Sequence, residues 1–121
     1  MTTKRILVLD DEVSMTRLLK LHLEDTGRYE VRVENHAHRA LPAALEFRPD
    51  LILLDLVMPE MGGEEIFKAL RARDELRRVP VLLLTASGQD QQRTHGVAGL
   101  PWISKPVRAG ELIEHIDRQL A

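Results

Sequence analysis

A doubly wound α/β fold, with five parallel strands covered by helices on both faces, is what this 121-residue sequence predicts. Three observations carry the expectation. Short apolar runs alternate with segments of helical periodicity five times along the chain, the pattern of repeated strand–helix crossovers. The runs RILVL (5–9), LILL (51–54) and VPVLLLT (79–85) are apolar almost throughout, as befits strands buried on both faces. Each of these runs ends in, or leads directly into, a polar or charged residue, and function in such sheets sits at the carboxyl ends of the strands.

Taken in order, Arg5–Leu9 forms the first strand and runs into Asp10-Asp11-Glu12. From Ser14 to Asp25, Met15, Leu18, Leu19 and Leu23 recur at helical spacing between Arg17, Lys20 and Glu24, and Gly27 supplies the stop. Tyr29–Val33 alternates apolar with charged residues and suits a half-exposed strand near the sheet edge. Ala37–Phe47 has the apolar pattern of a helix, but Pro42 lies inside it. Proline lacks an amide hydrogen and is tolerated only in a first turn, so the expectation is a short helix from near Leu41 or a distorted start.

Leu51–Leu54 is the third strand, delivering Asp55 to a turn forced by Met58-Pro59 and Gly62-Gly63. Glu64–Arg73 places Ile66, Phe67 and Leu70 on one helical face. The fourth strand, Val79–Thr85, ends in a hydroxyl followed by Ala86, Ser87 and Gly88. Gln89–Val97 has little apolar periodicity and predicts at most a short, weakly anchored helix. Trp102–Ser104 makes a brief fifth strand before Lys105-Pro106, and Glu111–Leu120 a final helix with Leu112, Ile113, Ile116 and Leu120 inward.

A chain of this length is expected to fold as one domain with one core. A formal net charge of −2, with 30% charged and 44% apolar residues, gives no bias toward nucleic acid or anionic lipid. No run approaches the length of a membrane span, and no apolar stretch follows Met1 as in a signal peptide, so a cytoplasmic protein is expected.

In a parallel sheet the strand ends converge, bringing together Asp10, Asp11, Asp55, Thr85 and Lys105. Any one acid alone could be a loop residue or helix cap. Three neighbouring carboxylates repel unless a divalent cation offsets their charge, and hard oxygen donors suit Mg²⁺ or Mn²⁺ better than zinc. With Lys105 and Thr85 opposite, such a pocket could hold a transferring phosphoryl group, Asp55 acting as nucleophile.

The motifs LVLDDE, LLDLVMPEMGG, LLLTAS and ISKP, in this order, resemble the receiver domain of two-component response regulators over the whole chain. The resemblance implies a flavodoxin-like (βα)5 fold with strand order 2-1-3-4-5. It implies that Asp55 accepts phosphate from a histidine kinase or histidine phosphotransfer protein. Asp10, Asp11, Asp55 and the Val57 carbonyl would then hold Mg²⁺, with Mn²⁺ a possible substitute. Thr85 and Lys105 would contact the phosphoryl group beside Ala86, with a cis bond before Pro106. Thr85 and the aromatic residue three before the lysine, here Trp102, would form the switch, although an indole is bulkier than the usual tyrosine or phenylalanine. The segment between Thr85 and Lys105 is a residue or two shorter than the family's.

Competing functions are separable by residue. A phosphohydrolase with an aspartyl-phosphate intermediate places a second acid two residues after its nucleophile; Val57 occupies that position and cannot transfer a proton. A flavodoxin-like cofactor binder would hold phosphate after the first strand, where Asp10-Asp11 repel it. The chain is thus expected to be a phosphoacceptor rather than an enzyme, acting by binding a partner or as the receiver module of a longer regulator. A degenerate, phosphorylation-independent docking module is the remaining alternative, and the intact acids, Thr85 and Lys105 speak against it. His36 and His38 could form a metal pair, but no third ligand lies nearby in sequence, so a solvated loop is the reading.

Overall fold

The computed structural model describes residues 3–86 and 99–121. Its elements are β1 (Lys4–Leu9), α1 (Val13–Asp25), β2 (Tyr29–Glu34), a 3-10 turn (Ala37–Arg39), α2 (Ala40–Phe47), β3 (Leu51–Asp55), α3 (Gly63–Arg71), a second 3-10 turn (Asp74–Leu76), β4 (Val81–Thr85), β5 (Trp102–Ser104) and α4 (Ala109–Leu120). The expected weak helix over 89–97 lies outside the described residues. The strands form one sheet in the order β2-β1-β3-β4-β5, every pair parallel. Among the described residues, no helix is long and apolar enough to cross a membrane.

Period-two alternation divides the apolar strands between two layers. Leu7, Leu9, Ile52, Leu54 and Leu83 pack with α2 and α3, through Ala40, Ala44, Ile66 and Leu70. Ile6, Val8, Leu51, Leu53 and Leu84 pack with α1 and α4, through Leu19, Leu23, Leu112 and Ile116. All five residues of β3 and all five of β4 are buried, which is why neither strand shows an alternating sequence pattern.

Several boundaries differ from the sequence expectation by one or two residues, and three of them have a visible local cause. β4 begins at Val81, since Val79 still donates its amide hydrogen to Leu76 in the preceding turn. Extended backbone at Arg73 stops α3 at Arg71, and extended Arg108 lets α4 start at Ala109. Around Pro42 the distorted start is realised: the 3-10 turn supplies the beginning of the element, and Pro42 falls in the first turn of α2.

The two glycines before α3 have different reasons. A side chain at Gly62 would meet nothing within 4 Å, whereas a Cβ on Gly63 would lie 2.7 Å from Leu56 Cα and 2.8 Å from the Asp55 carbonyl. Gly63 also donates its amide hydrogen to Leu56 O at 2.9 Å. The start of α3 is therefore pressed against the end of β3, and only hydrogen fits between them. Gly63→Ala is expected to cost about 2–3 kcal/mol in urea denaturation, the range of an overpacked site, with Gly62→Ala close to neutral. Equal effects for the two variants would contradict the close-approach explanation.

Candidate functional site

Sheet register assembles the site. Leu9 pairs with Leu54 and Leu84 with Asp55, so Asp10, one residue beyond β1, comes beside Asp55 at the end of β3. Asp10, Asp55 and Lys105 continue the alternation of Val8, Leu53 and Ile103, which puts all three on the α1/α4 side of the sheet. Asp10, Asp11 and Asp55 each offer an oxygen within 4.8 Å of the others, Asp10 and Asp55 buried and Asp11 exposed. Lys105 Nζ lies 2.9 Å from Asp10 Oδ2, 3.5 Å from Asp55 Oδ2 and 2.7 Å from Glu12 Oε1.

These neighbours shift the protonation equilibria in ways that the geometry explains. Burial, together with the charge of Asp10, pushes the Asp55 carboxyl up to about 7, against the Val57 amide hydrogen bond and Lys105, which favour the charged form. That amide donates to Asp55 Oδ1 at 3.2 Å. Burial also raises Asp10, although its Oδ1 accepts the Glu12 amide at 2.9 Å. For Lys105, burial alone would push the ammonium down; hydrogen bonds to Glu12 and Asp10 and the charge of Asp55 outweigh it and carry the group upward. Lys105 is thus a fixed positive charge, and the acids are under-compensated.

Among the described residues the buried Thr85 Oγ1 has no hydrogen-bond partner, and the buried Asp10 Oδ2 has only the Lys105 ammonium, at 2.9 Å and shared with Glu12 and Asp55. A buried carboxylate oxygen served only by a shared ammonium, within a group of three acids, fits a hard divalent cation, and the all-oxygen donor set fits Mg²⁺ or Mn²⁺. Thr85, 1% exposed, has a donor without a partner among the described residues at the end of β4.

The other expected residues fall where strand order puts them. Val57 is exposed next to the acids, Ala86 follows Thr85 at an exposed bend, and the Lys105–Pro106 bond is cis. Trp102, 40% exposed, faces outward on edge strand β5. Two participants were missed in the sequence. Glu12, read only as part of the acidic run, is the nearest acid to Lys105. Asn35, one residue past β2, donates from Nδ2 to the Asp10 carbonyl at 2.8 Å and to Thr16 Oγ1 at 3.1 Å. The strand-end argument applied to the second strand would have found it.

A family model described as the response regulator receiver domain matches residues 6–117. The chain belongs to this family. Among relatives of this receiver domain, the polar-differentiation response regulator DivK of Brucella anthropi is 35% identical over 119 residues, which cover 97% of this chain and 96% of DivK. The fold is similar to that of the chemotaxis response regulator CheY4 of Vibrio cholerae, with a TM-score of 0.86, 29% identity, and 97% of this chain and 98% of that one covered. It is equally similar to the receiver domain of sensor histidine kinase PA1611 from Pseudomonas aeruginosa PAO1, with a TM-score of 0.86, 27% identity and 98% of both chains covered. The PA1611 domain was solved with a magnesium ion coordinated in its active-site cleft.

Proposed function

We propose that this receiver domain is a phosphorylation-controlled switch of the cytoplasm in which Asp55 accepts a phosphoryl group from a phosphohistidine donor, a histidine kinase or a histidine phosphotransfer protein. The observation that carries the reading is the pairing of a buried, under-compensated Asp55 with Lys105 at 3.5 Å. The Thr85 hydroxyl on the neighbouring strand, without a partner among the described residues, adds the hydrogen-bond donor that a phosphoryl oxygen requires.

An oxygen of the Asp55 carboxylate attacks the phosphorus as the phosphorus–nitrogen bond of the donor breaks. The electron pair returns to the imidazole, which takes up a proton, and an acyl phosphate remains on Asp55. Lys105 offsets the negative charge arriving with the phosphoryl oxygens, and Thr85 donates a hydrogen bond to one of them. Asp10, Asp11, Asp55 and the Val57 carbonyl would hold Mg²⁺, which when bound supplies charge neutralisation between carboxylates and phosphoryl oxygens. The PA1611 receiver domain, with its magnesium ion, supports this assignment by likeness.

Val57 offers no proton, so attack of water on the acyl phosphate has no general base at that position, and a phosphoacceptor with slow hydrolysis fits better than a turnover enzyme. Val13 and Val57, 51% and 67% exposed, flank the acids and give a docking protein an apolar rim. Thr85 and Trp102 are the proposed carriers of the change to the partner-binding face. Incubation with a histidine phosphotransfer protein carrying radiolabelled phosphate is expected to move label to the chain when Mg²⁺ is present and to leave Asp55→Asn unlabelled. Equal labelling of that variant would place the acceptor elsewhere.

A further inference from the structure

We propose that His36, His38 and Glu60 form a second cation site, taking a divalent transition metal of the zinc class and sharing no ligand with the acid cluster. In the sequence the two histidines lack a third partner; the fold supplies one. Loop residues 56–62, between β3 and α3, bring Glu60 against the turn that precedes α2. His38 Nδ1 lies 2.8 Å from Glu60 Oε2, and His36 Nδ1 lies 3.6 Å from Oε1 of the same carboxylate. The imidazole centroids are 5.7 Å apart, tilted by 42°. The His38 contact first, then the charges of His38 and His36, with the Ala37 backbone adding a little, hold the Glu60 carboxyl below the usual range.

The distances suit a metal that would replace the bridging proton. With bonds of about 2.0–2.1 Å in tetrahedral geometry, donor atoms lie roughly 3.3 Å apart and imidazole centroids roughly 5 Å apart. The two nitrogen–oxygen distances bracket the first figure and the centroid separation is close to the second. Among the described residues, only Asp10, Asp11 and Asp55 already bring their ligand atoms within 4.8 Å of one another. The histidines reach that condition by rotating rings whose side chains are 67% and 64% exposed. Ligand chemistry separates the sites: two imidazoles and one carboxylate favour borderline metals such as Zn²⁺, whereas the acid cluster offers oxygen alone. A bound ion would tie the turn before α2 to the loop that carries Val57.

The test is calorimetric titration of Zn²⁺ into the tag-free chain in saturating Mg²⁺, with Co²⁺ visible absorption as a second readout of tetrahedral nitrogen–oxygen ligation. One Zn²⁺ per chain is expected, retained in a D10N/D11N double variant. Affinity should fall at least tenfold in His38→Gln and in Glu60→Gln, the range for loss of a ligand or its support. All three side chains are exposed, so these variants should keep their circular dichroism spectra. Absence of Zn²⁺ binding, binding lost with the acid cluster, or a fall of less than tenfold in either variant would overturn the proposal.

Discussion

Asp55→Asn raises the stability of the metal-free protein at pH 8 and leaves it unchanged near pH 4. The native carboxyl titrates at about 7 where an ordinary aspartate does so at 3.8. The native state therefore holds that proton more tightly than the unfolded chain, and ionisation removes stability progressively as pH rises from about 4 to about 7. A shift of roughly three units corresponds to about 4 kcal/mol. Asparagine stands in for the neutral carboxyl and escapes that cost, which is already net of the pairing with Lys105 and the bond from the Val57 amide. A gain of about 2–4 kcal/mol is expected, which is roughly 8–16 °C in a chain of this size. Thermal melts of both proteins across pH 4–8 in chelator check it. A constant difference at all pH values would show that the burial of Asp55 carries no electrostatic cost. Added Mg²⁺ should narrow the gap at pH 8 by stabilising the parent protein.

Lys105→Ala has the opposite sign. Its ammonium is raised above the ordinary value, so the stability it contributes is fully present below about pH 10 and is lost only in strong alkali. Removal leaves Asp10, Asp55 and Glu12 facing one another without a cation, at a cost of about 3 kcal/mol near pH 8, the range for breaking a buried pair. That cost shrinks below pH 7, where Asp55 takes up a proton. Phosphorylation by a small donor should slow by about 10–100-fold, as expected for removal of one preorganised charge from the site of transfer. Urea denaturation at pH 5 and pH 8, paired with initial phosphorylation rates, separates the structural effect from the chemical one. A variant as stable as the parent at pH 8 would mean that Lys105 does not compensate the acids.

The fold was legible because each buried strand is a nearly unbroken apolar run and each α-helix over the described residues has an apolar stripe. Strand ends were legible as chemistry because Asp10, Asp55, Thr85 and Lys105 are polar residues following apolar ones. What sequence could not give depends on proximity across the chain. Glu12 reaches Lys105 over a separation of 93 residues, and the approach of α3 to β3 that only Gly63 permits is invisible in a Gly-Gly pair. Glu60 meets His38 from 22 residues away, so a histidine pair that reads as solvated loop gains a partner only when the sheet brings the β3–α3 loop alongside. Helix boundaries moved by one or two residues because they depend on backbone angles at Arg73 and Arg108.

Intact mass after incubation with acetyl phosphate tests the role of Asp55 as phosphoacceptor most directly. With Mg²⁺ the parent chain should gain one phosphoryl group, and it should gain none in chelator. Asp55→Asn, folded and at least as stable, should gain none in either condition. No gain by the parent protein in Mg²⁺, or an equal gain by the variant, would contradict the assignment.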